Sequence, residues 1–198
     1  MEPSCARFVP GYGDANAAFH VIGDHPGVHG GVDSGVPFTD RESALRLQTA
    51  LEAAGLLSST GSEPAVEGTY LSYLHMCVPN PGGTPTEAEY TDMERFFDAE
   101  LRAIAAHVLF PVGERATRQV LERYTAQAHK TTVDMDALHA TEIRGSGFLV
   151  MPIKEPADWS EADERRLVAA ITELRSTDFR RESDLGRFIA GSDPYFVR

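Results

Sequence analysis

AAFHVIGDHPGVHGGVDSGVPF, residues 17–38, sets the architecture of this chain. Its apolar first part, 17–23, closes on glycine and predicts a buried strand. The part that follows, 24–38, is rich in glycine and contains two prolines, which is typical of a loop. Apolar residues then recur at helical spacing from 41 to 54 and stop at Gly55, so the loop leads into a helix.

The same unit of strand, loop and helix recurs along the chain. The other predicted strands are apolar runs at 69–78, 108–113 and 147–153. The other predicted helices begin at TPTE (84–87), which has capping-box spacing with proline at the first helical position, at 114–125, and near Ser160.

Strands that alternate with helices indicate a parallel sheet covered on both faces. We expect an α/β fold, a three-layer α/β/α sandwich with a short, mostly parallel central sheet. It forms a single domain over residues 1–176, and the polar, arginine-containing stretch 177–198 is a C-terminal tail. Ligands bind at the carboxyl ends of parallel strands, so four loops should share one rim: 24–38, 79–84, 113–115 and 154–159.

The charge of the chain is strongly acidic. It has 198 residues with Asp+Glu 30 against Lys+Arg 18, a formal net charge of -12, and only Lys130 and Lys154 are lysines. Such a surface is typical of halophilic proteins in a salt-rich cytoplasm, where salt screens self-repulsion. Taken alone, the charge counts against a nucleic-acid partner, although a net charge does not describe a local cleft.

The cysteines and the chain termini indicate the compartment. Cys5 and Cys77 are too few for a disulfide-rich scaffold or a zinc ribbon, and they predict a reduced, intracellular compartment. Residues 1–14 lack a basic start followed by an apolar run, and no stretch of about 18 apolar residues occurs. We expect a cytoplasmic protein without membrane association, and we expect a monomer.

Five motifs follow one another in an order that resembles a known family. They are GDHPG (23–27), GVPF (35–38), YLSYLHMCVP (70–79), TPT (84–86) and VGERA (112–116). In this order they resemble the uracil-DNA glycosylase superfamily, nearest the family-four branch, whose members carry an iron-sulfur cluster. RFVPGYG (7–13) fits the lead-in to the first motif in that branch, and the resemblance covers about residues 5–174.

This resemblance implies a DNA base-excision repair hydrolase. Its substrate is uracil, or another damaged base, flipped out of DNA into a pocket, and its reaction is hydrolysis of the N-glycosidic bond. Asp24 stands where the family has the glutamate that positions or activates water, one methylene shorter. Phe38 matches the aromatic that stacks on the base. Gly23, His25, Pro26 and Gly27 complete the first motif and are assigned to base binding with Phe38.

Two further positions depart from the family. Tyr73 stands where the family's base-reading asparagine sits, so the pocket reads another base or Tyr73 fills part of it as a wall of the sheet. Glu155 stands where the family has a catalytic histidine, and its charge has the wrong sign to stabilise a departing uracil anion. Lys154, His25 and His29 are alternative sources of the missing donor. Asp24 and Glu155 are therefore the candidate catalytic pair.

The cofactor of the resembling branch is not expected here. A cluster ordinarily takes four thiolates, and only Cys5 and Cys77 remain, with Met93 at a third ligand position. Cys77 is then expected to be a small buried apolar residue. A metal site at His25 and His29 is disfavoured, because Pro26 and Gly27 should prevent the helix that puts both rings on one face. We expect no cofactor and no metal.

Two functions stay open, with a third as a minor alternative. The first is a glycosylase that cleaves with altered residues at the catalytic positions. The second is a catalytically impaired relative that binds nucleic acid or a nucleobase without cleavage. The third is a small-molecule hydrolase on the same sheet.

Overall fold

A six-stranded sheet forms the centre of this computed structural model, which describes Pro3, residues 5–127, 131–145 and 147–181, and Ser183. In chain order the strands are β1 (Tyr12–Gly13), β2 (Phe19–Gly23), β3 (Thr69–Tyr73), β4 (Val108–Pro111), β5 (Ile143–Arg144) and β6 (Leu149–Val150). Their order across the sheet is β1-β3-β2-β4-β6-β5. The four central strands run parallel, and the two edge strands, β1 and β5, are antiparallel to their neighbours.

Helices cover both faces of this sheet. They are α1 (Pro26–His29), α2 (Glu42–Ala53), α3 (Glu87–Ile104), α4 (Gly113–Tyr124), α5 (Met135–Leu138) and α6 (Glu161–Ser176), with a short 3-10 turn at Pro156–Asp158. Alternate residues of one strand face opposite layers. Val21 packs with α2 and α6, whereas Ile22 packs with α3 and α4. The predicted three-layer α/β/α fold is confirmed.

All four predicted strands are shorter in the structure, and two of them differ most. The run 69–78 leaves the sheet after Tyr73, because its next residues pair with the N-terminal segment instead: the Val9 N–H donates to the Met76 carbonyl at 2.9 Å, and the Val78 N–H donates to the Arg7 carbonyl at 3.0 Å. The run 147–153 keeps only Leu149–Val150 as a strand, with one further bridge between Val112 and Ile153.

The start of α3 differs from the prediction by two residues. The sequence TPTEAE contains two overlapping capping boxes, one at 84–87 and one at 86–89. The structure uses the second: Thr86 is the N-cap, its hydroxyl accepts from the Glu89 N–H at 3.3 Å, and Glu89 accepts from the Thr86 N–H at 2.7 Å. The predicted cap of α6 at Ser160 is confirmed, with Asp163 closing its box.

The expectation that Pro26 and Gly27 prevent a helix is wrong. Pro26 occupies the first position of the one-turn helix α1, where its missing N–H removes no internal hydrogen bond. The His25 side chain caps this turn by accepting the Gly27 N–H at 3.0 Å. The turn ends at His29, which places that ring over the end of β2.

The order of the parallel strands has a topological switch point at β2. The connection through α2 leads to β3 on one side of β2, and the connection through α3 leads to β4 on the other side. Such a switch point opens a crevice outside the carboxyl ends of the strands. The Gly113 N–H donates to the Ile153 carbonyl at 2.8 Å, so the loops after β4 and β6 also meet there.

The C-terminal stretch begins to fold back after α6. The Phe179 ring lies 5.0 Å from the Phe19 ring, and the Ser183 hydroxyl lies 2.8 Å from His107 Nδ1, at the opposite end of the sheet from the crevice. Residue 182 and residues 184–198 of the predicted tail lie outside the described residues. Within the described ranges, no helix combines the length and the apolar character that crossing a membrane requires.

Candidate active site

Asp24 follows β2 directly and lies half-buried in the crevice. Its backbone is held on both sides: its N–H donates to His29 Nδ1 at 3.0 Å, and its carbonyl accepts from the His75 N–H at 3.0 Å. The Tyr90 hydroxyl of α3 donates to its Oδ1. Among the residues that the structure describes, Asp24 Oδ2 has no hydrogen-bond partner. The carboxylate is therefore fixed by one oxygen and presents the other.

Tyr90 acts as the donor in this pair. Burial raises its pKa above the ordinary value, and the hydrogen bond to Asp24 and the charge of Asp24 raise it further. The phenol thus stays protonated at neutral pH. The Arg115 guanidinium lies 4.2 Å from the centre of the Tyr90 ring, and its Nη2 donates to Glu87 Oε1 at 2.7 Å. The cation above the ring helps to hold Tyr90 in place.

His29 connects Asp24 to the second candidate catalytic residue. Because Nδ1 accepts the Asp24 N–H, the proton of the neutral ring lies on Nε2, which donates to Glu155 Oε2 at 2.9 Å. The His29 side chain is 3% exposed and that of Glu155 27%. Both ring nitrogens are occupied, so His29 does not supply a free donor to a leaving group. Asp24 and Glu155 are brought to the same crevice, joined through this ring.

Three rings enclose Gly23 at the end of β2. A Cβ atom there would lie 2.7 Å from His29 Nδ1, from Phe38 Cζ and from Tyr73 Cδ1. Phe38 and Tyr73 are each 1% exposed, and their ring centres lie 5.3 Å apart. The base-stacking role of Phe38 stays a prediction, since this conformation presents almost none of its surface. Glycine at position 23 is what lets the three rings meet.

Tyr73 holds the glycine-rich loop to the sheet. Its hydroxyl accepts the Phe38 N–H at 2.7 Å and donates to the Gly30 carbonyl at 3.1 Å. Burial raises its pKa, so it remains a neutral phenol. Gln48 of α2 donates from Nε2 to the Phe38 carbonyl at 2.6 Å. Both backbone groups of Phe38 are thereby used, which stabilises its positive φ of 58°.

His25, Pro26 and Gly27 form the start of α1 rather than a bare loop. His25 is 2% exposed and its Nε2 is buried without a partner among the described groups. Burial lowers the pKa of His25, although the charge of Asp24 opposes this. A Cβ at Gly27 would lie 2.7 Å from His25 Cε1 and 2.8 Å from Pro79 Cγ, so α1 packs tightly on the loop after β3.

The two cysteines correct a prediction. Cys77 is buried, as expected, but it is not a free apolar residue: it forms a disulfide with Cys5, with Cα atoms 6.0 Å apart. The expectation of a reduced pair is therefore wrong for this structure. Met93 Sδ lies 3.7 Å from Cys77 Sγ, and Phe96 completes a small apolar cluster.

An iron-sulfur cluster does not fit these residues. Both thiols are consumed by the disulfide, and the third ligand position holds a thioether packed against it. In the part of the chain that the structure describes, no group of three or more His, Cys, Asp or Glu side chains is arranged to hold a metal ion.

Two site features were not predicted from the sequence. Tyr90 lies three residues before Met93 and seven before Phe97, on the apolar stripe of α3, and only its hydroxyl at the crevice end distinguishes it. From the sequence, His29 is a candidate donor to the leaving group, and its bridging role is visible only in the structure. Lys154, also considered as a donor, points instead to Asp136 at 2.5 Å and to Asp163 at 4.0 Å.

Comparisons with known proteins agree with the motifs. The family model of the uracil DNA glycosylase superfamily matches residues 10–175. The chain is similar to the type-5 uracil-DNA glycosylase of Thermus thermophilus, with 38% identity over 128 residues, 62% of this chain and 58% of the relative. It is 31% identical over 111 residues to that of Mycobacterium leprae (54% and 48%) and 34% identical over 121 residues to that of Pyrobaculum aerophilum (59% and 53%).

The chain spans about half the length of these curated relatives. They carry the type-5 name, whereas the motifs of this chain most resemble the family-four branch. The resemblance to the superfamily is confirmed.

Proposed function

This chain belongs to the uracil DNA glycosylase superfamily, and on that premise we propose that it removes uracil from DNA by hydrolysing the N-glycosidic bond. The observation that carries the proposal is the Asp24 carboxylate, fixed through Oδ1 by Tyr90 at the switch point of the sheet. Its Oδ2 is left for a water molecule.

The reaction that this geometry supports is a water-mediated displacement. The bond between the base and the sugar carbon C1′ breaks, its electron pair leaves with the uracil anion, and positive charge develops on the sugar. Asp24 Oδ2 accepts a hydrogen bond from water, and as the water oxygen bonds to C1′ its proton passes to Asp24. That proton is then released to solvent, and the uracil anion takes up one proton from solvent. The products are uracil and an abasic site. The negative charge of Asp24 also stabilises the cationic sugar at close range.

Glu155 has a positioning role in this proposal. It accepts the Nε2–H of His29, and His29 in turn accepts the N–H of Asp24. A carboxylate at this position does not stabilise the uracil anion, because the charges repel. It keeps the imidazole in the tautomer that holds the backbone of Asp24.

The remaining site residues shape the pocket. We propose that Gly23 and the turn at His25, Pro26 and Gly27 contact the flipped base from the side of the loop. Phe38 reaches the base when the loop 24–38 shifts, because its ring is enclosed in the present conformation. Tyr73 is the wall that anchors this loop.

A direct test measures abasic sites on uracil-containing single- and double-stranded oligonucleotides, at low salt and at molar salt. We expect abasic product from the natural chain and almost none from Asp24→Asn. Asp33→Asn, an exposed aspartate in the same loop, is the matched control and should keep full activity. Product that persists in Asp24→Asn would remove the assigned role of Asp24.

The outcome without product points to the other function. If uracil, hypoxanthine and xanthine all remain in DNA while the oligonucleotide is retained, the chain is a binding protein that lacks the chemical step. The substitution of the family's histidine by Glu155 is the observation that favours this alternative.

A further inference from the structure

A groove beside the active site is positively charged in an acidic protein. It has a volume of about 890 Å³ and lies between the N-terminal segment, α1 and the loop 78–84. Arg7 and Arg41 are its charged lining residues, and among the described residues no aspartate or glutamate lines it. We propose that this Arg7–Arg41 groove binds the phosphodiester backbone of a DNA strand, next to the nucleotide in the active site. The inference rests on the proposed function.

Both arginines are held in place without being neutralised. Arg7 donates from Nη2 to the Val32 carbonyl at 2.7 Å, and Arg41 donates from Nη2 to the Gly27 carbonyl at 2.6 Å. A guanidinium has five N–H donors, so most remain available after one such bond. Neither arginine forms an ion pair with a carboxylate in the described part of the chain, whereas Arg115, Arg118 and Arg123 of α4 all do.

The local charge contrasts with that of the whole chain. The formal net charge of the chain is -12, whereas the two charged residues that line this groove are both arginines. Two anchored guanidinium groups that line one open groove match the oxygens of phosphates, which arginine binds in a planar, two-pronged geometry. Contacts of this kind fix the position of a strand without reading its sequence.

His25 provides an independent indication of a ligand. His25 is one of the residues that line the groove, is 2% exposed, and has a buried Nε2 without a partner among the described groups. Because Nδ1 accepts the Gly27 N–H, the neutral ring carries its proton on Nε2. Buried donors are nearly always paired in folded proteins, so the unpaired Nε2–H of a groove residue indicates a missing acceptor, and a phosphate oxygen is an acceptor of that kind.

The groove is continuous with the active site through the same turn. His25 follows Asp24 in sequence and lines the groove, and the carbonyl of Gly27 anchors Arg41. A strand whose nucleotide enters the crevice at Asp24 would therefore lay its neighbouring phosphates between Arg7 and Arg41.

The test measures binding to an oligonucleotide that contains no uracil, so it does not depend on cleavage. The affinity of the natural chain and of Arg7→Gln/Arg41→Gln for a fluorescent single strand is followed against NaCl concentration. Each lost phosphate contact lowers the steepness of log K against log salt concentration by about 0.7 on single strands, so the double variant should lose about 1.4. Arg102→Gln/Arg165→Gln, two exposed arginines away from the groove, should keep the natural steepness.

Conservative replacement separates charge from folding. Arg7→Lys/Arg41→Lys keeps both charges and should keep most of the salt dependence, which a merely misfolded groove would lose. An unchanged salt dependence in the glutamine variant, or no DNA binding by the natural chain, overturns the proposal that this groove binds the DNA backbone. A steepness that falls as expected, together with absent excision of uracil, supports the groove and overturns only the proposed catalysis.

Discussion

His29 and Glu155 are 126 residues apart in the chain and meet at 2.9 Å between Nε2 and Oε2. The other nitrogen of the same ring accepts the N–H of Asp24 at 3.0 Å. The imidazole therefore links the loop after β6 to the loop after β2. A change at position 155 is transmitted to the candidate water-positioning carboxylate without contact between the two carboxylates.

Replacement of Glu155 tests this link. Glu155→Gln keeps an acceptor for the His29 Nε2–H, and we expect excision within a few-fold of the natural rate. Glu155→Leu leaves that buried N–H unpaired and frees His29 to turn, so kcat should fall by roughly 100-fold with little change in KM. Steady-state kinetics on a uracil oligonucleotide measures kcat and KM for both variants. A glutamine variant as slow as the leucine variant would show that the charge itself is required.

Tyr90→Phe removes the hydroxyl that fixes Asp24 Oδ1. A hydrogen bond to a charged group contributes about 1.5–3 kcal/mol, which corresponds to a rate lower by roughly 10- to 100-fold when the bond positions a catalytic group. The thermal midpoint should change little, because the ring remains. Tyr12→Phe is the matched control, since its hydroxyl bonds only the Pro64 carbonyl at 3.1 Å in the described structure. Equal rates for both variants contradict the role of Tyr90.

Tyr73→Phe, unlike Tyr90→Phe, should lower stability. Loss of the Tyr73 hydroxyl leaves the Phe38 N–H and the Gly30 carbonyl buried without partners, which costs about 1–3 kcal/mol of unfolding free energy for each unsatisfied group. Urea unfolding measures this cost, again with Tyr12→Phe as control. A variant as stable as the natural chain, with a changed preference among damaged bases, would instead assign Tyr73 to reading the base.

The sequence predicts the part of the fold that long apolar runs encode. β2 and β4 are buried on both faces, so their runs are continuous and unambiguous. The edge strands β1 and β5 have two residues each, too few for any periodicity, and depend on pairing with distant segments. The apolar run at 69–78 predicts too long a strand. Its hydrophobicity does not show that only the first half belongs to the central sheet and that the second half pairs with the N-terminal segment.

The candidate site could be predicted only as far as the motifs place individual residues in sequence. Asp24 and Glu155 are predicted from their places in motifs that resemble the family, and the structure brings both residues to one crevice. The partners that hold them depend on tertiary contacts: Tyr90 is 66 residues from Asp24, and only folding brings its hydroxyl to the carboxylate. The disulfide between Cys5 and Cys77 was missed for the same reason, since their separation of 72 residues carries no information about proximity.

The disulfide predicts a measurable contribution to stability. It closes a chain segment with a sequence separation of 72, and a cross-link of that size typically stabilises a domain by about 2–4 kcal/mol through the unfolded state. We expect dithiothreitol to lower the urea midpoint of the natural chain and to leave that of Cys5→Ser unchanged. Two free thiols in the untreated, unfolded protein, detected with a thiol reagent, would contradict the disulfide.

Buried histidines make stability depend on pH. Burial lowers the pKa of His20 to about 3, and it lowers those of His25, His75 and His139 as well. The folded chain therefore protonates these rings at lower pH than the unfolded chain, which binds protons near pH 6.5. Their contribution is therefore complete above about pH 6.5 and is lost as the pH falls below it. For His20 the loss reaches about 1.4 kcal/mol per pH unit.

His20→Leu isolates one of these rings, because His20 is fully buried in β2 and bonds only Ser72 at 2.8 Å among the described contacts. Urea unfolding between pH 8 and about 5.5 stays above the range in which most carboxylates titrate. The variant starts less stable at pH 8, since the Ser72 hydroxyl loses a partner. Below about pH 6.5 its unfolding free energy should fall less steeply with pH than that of the natural chain, because the variant takes up about one proton fewer on unfolding. Parallel curves for the two chains would mean that His20 is already protonated in the folded state, which its apolar surroundings oppose because they disfavour a buried charge.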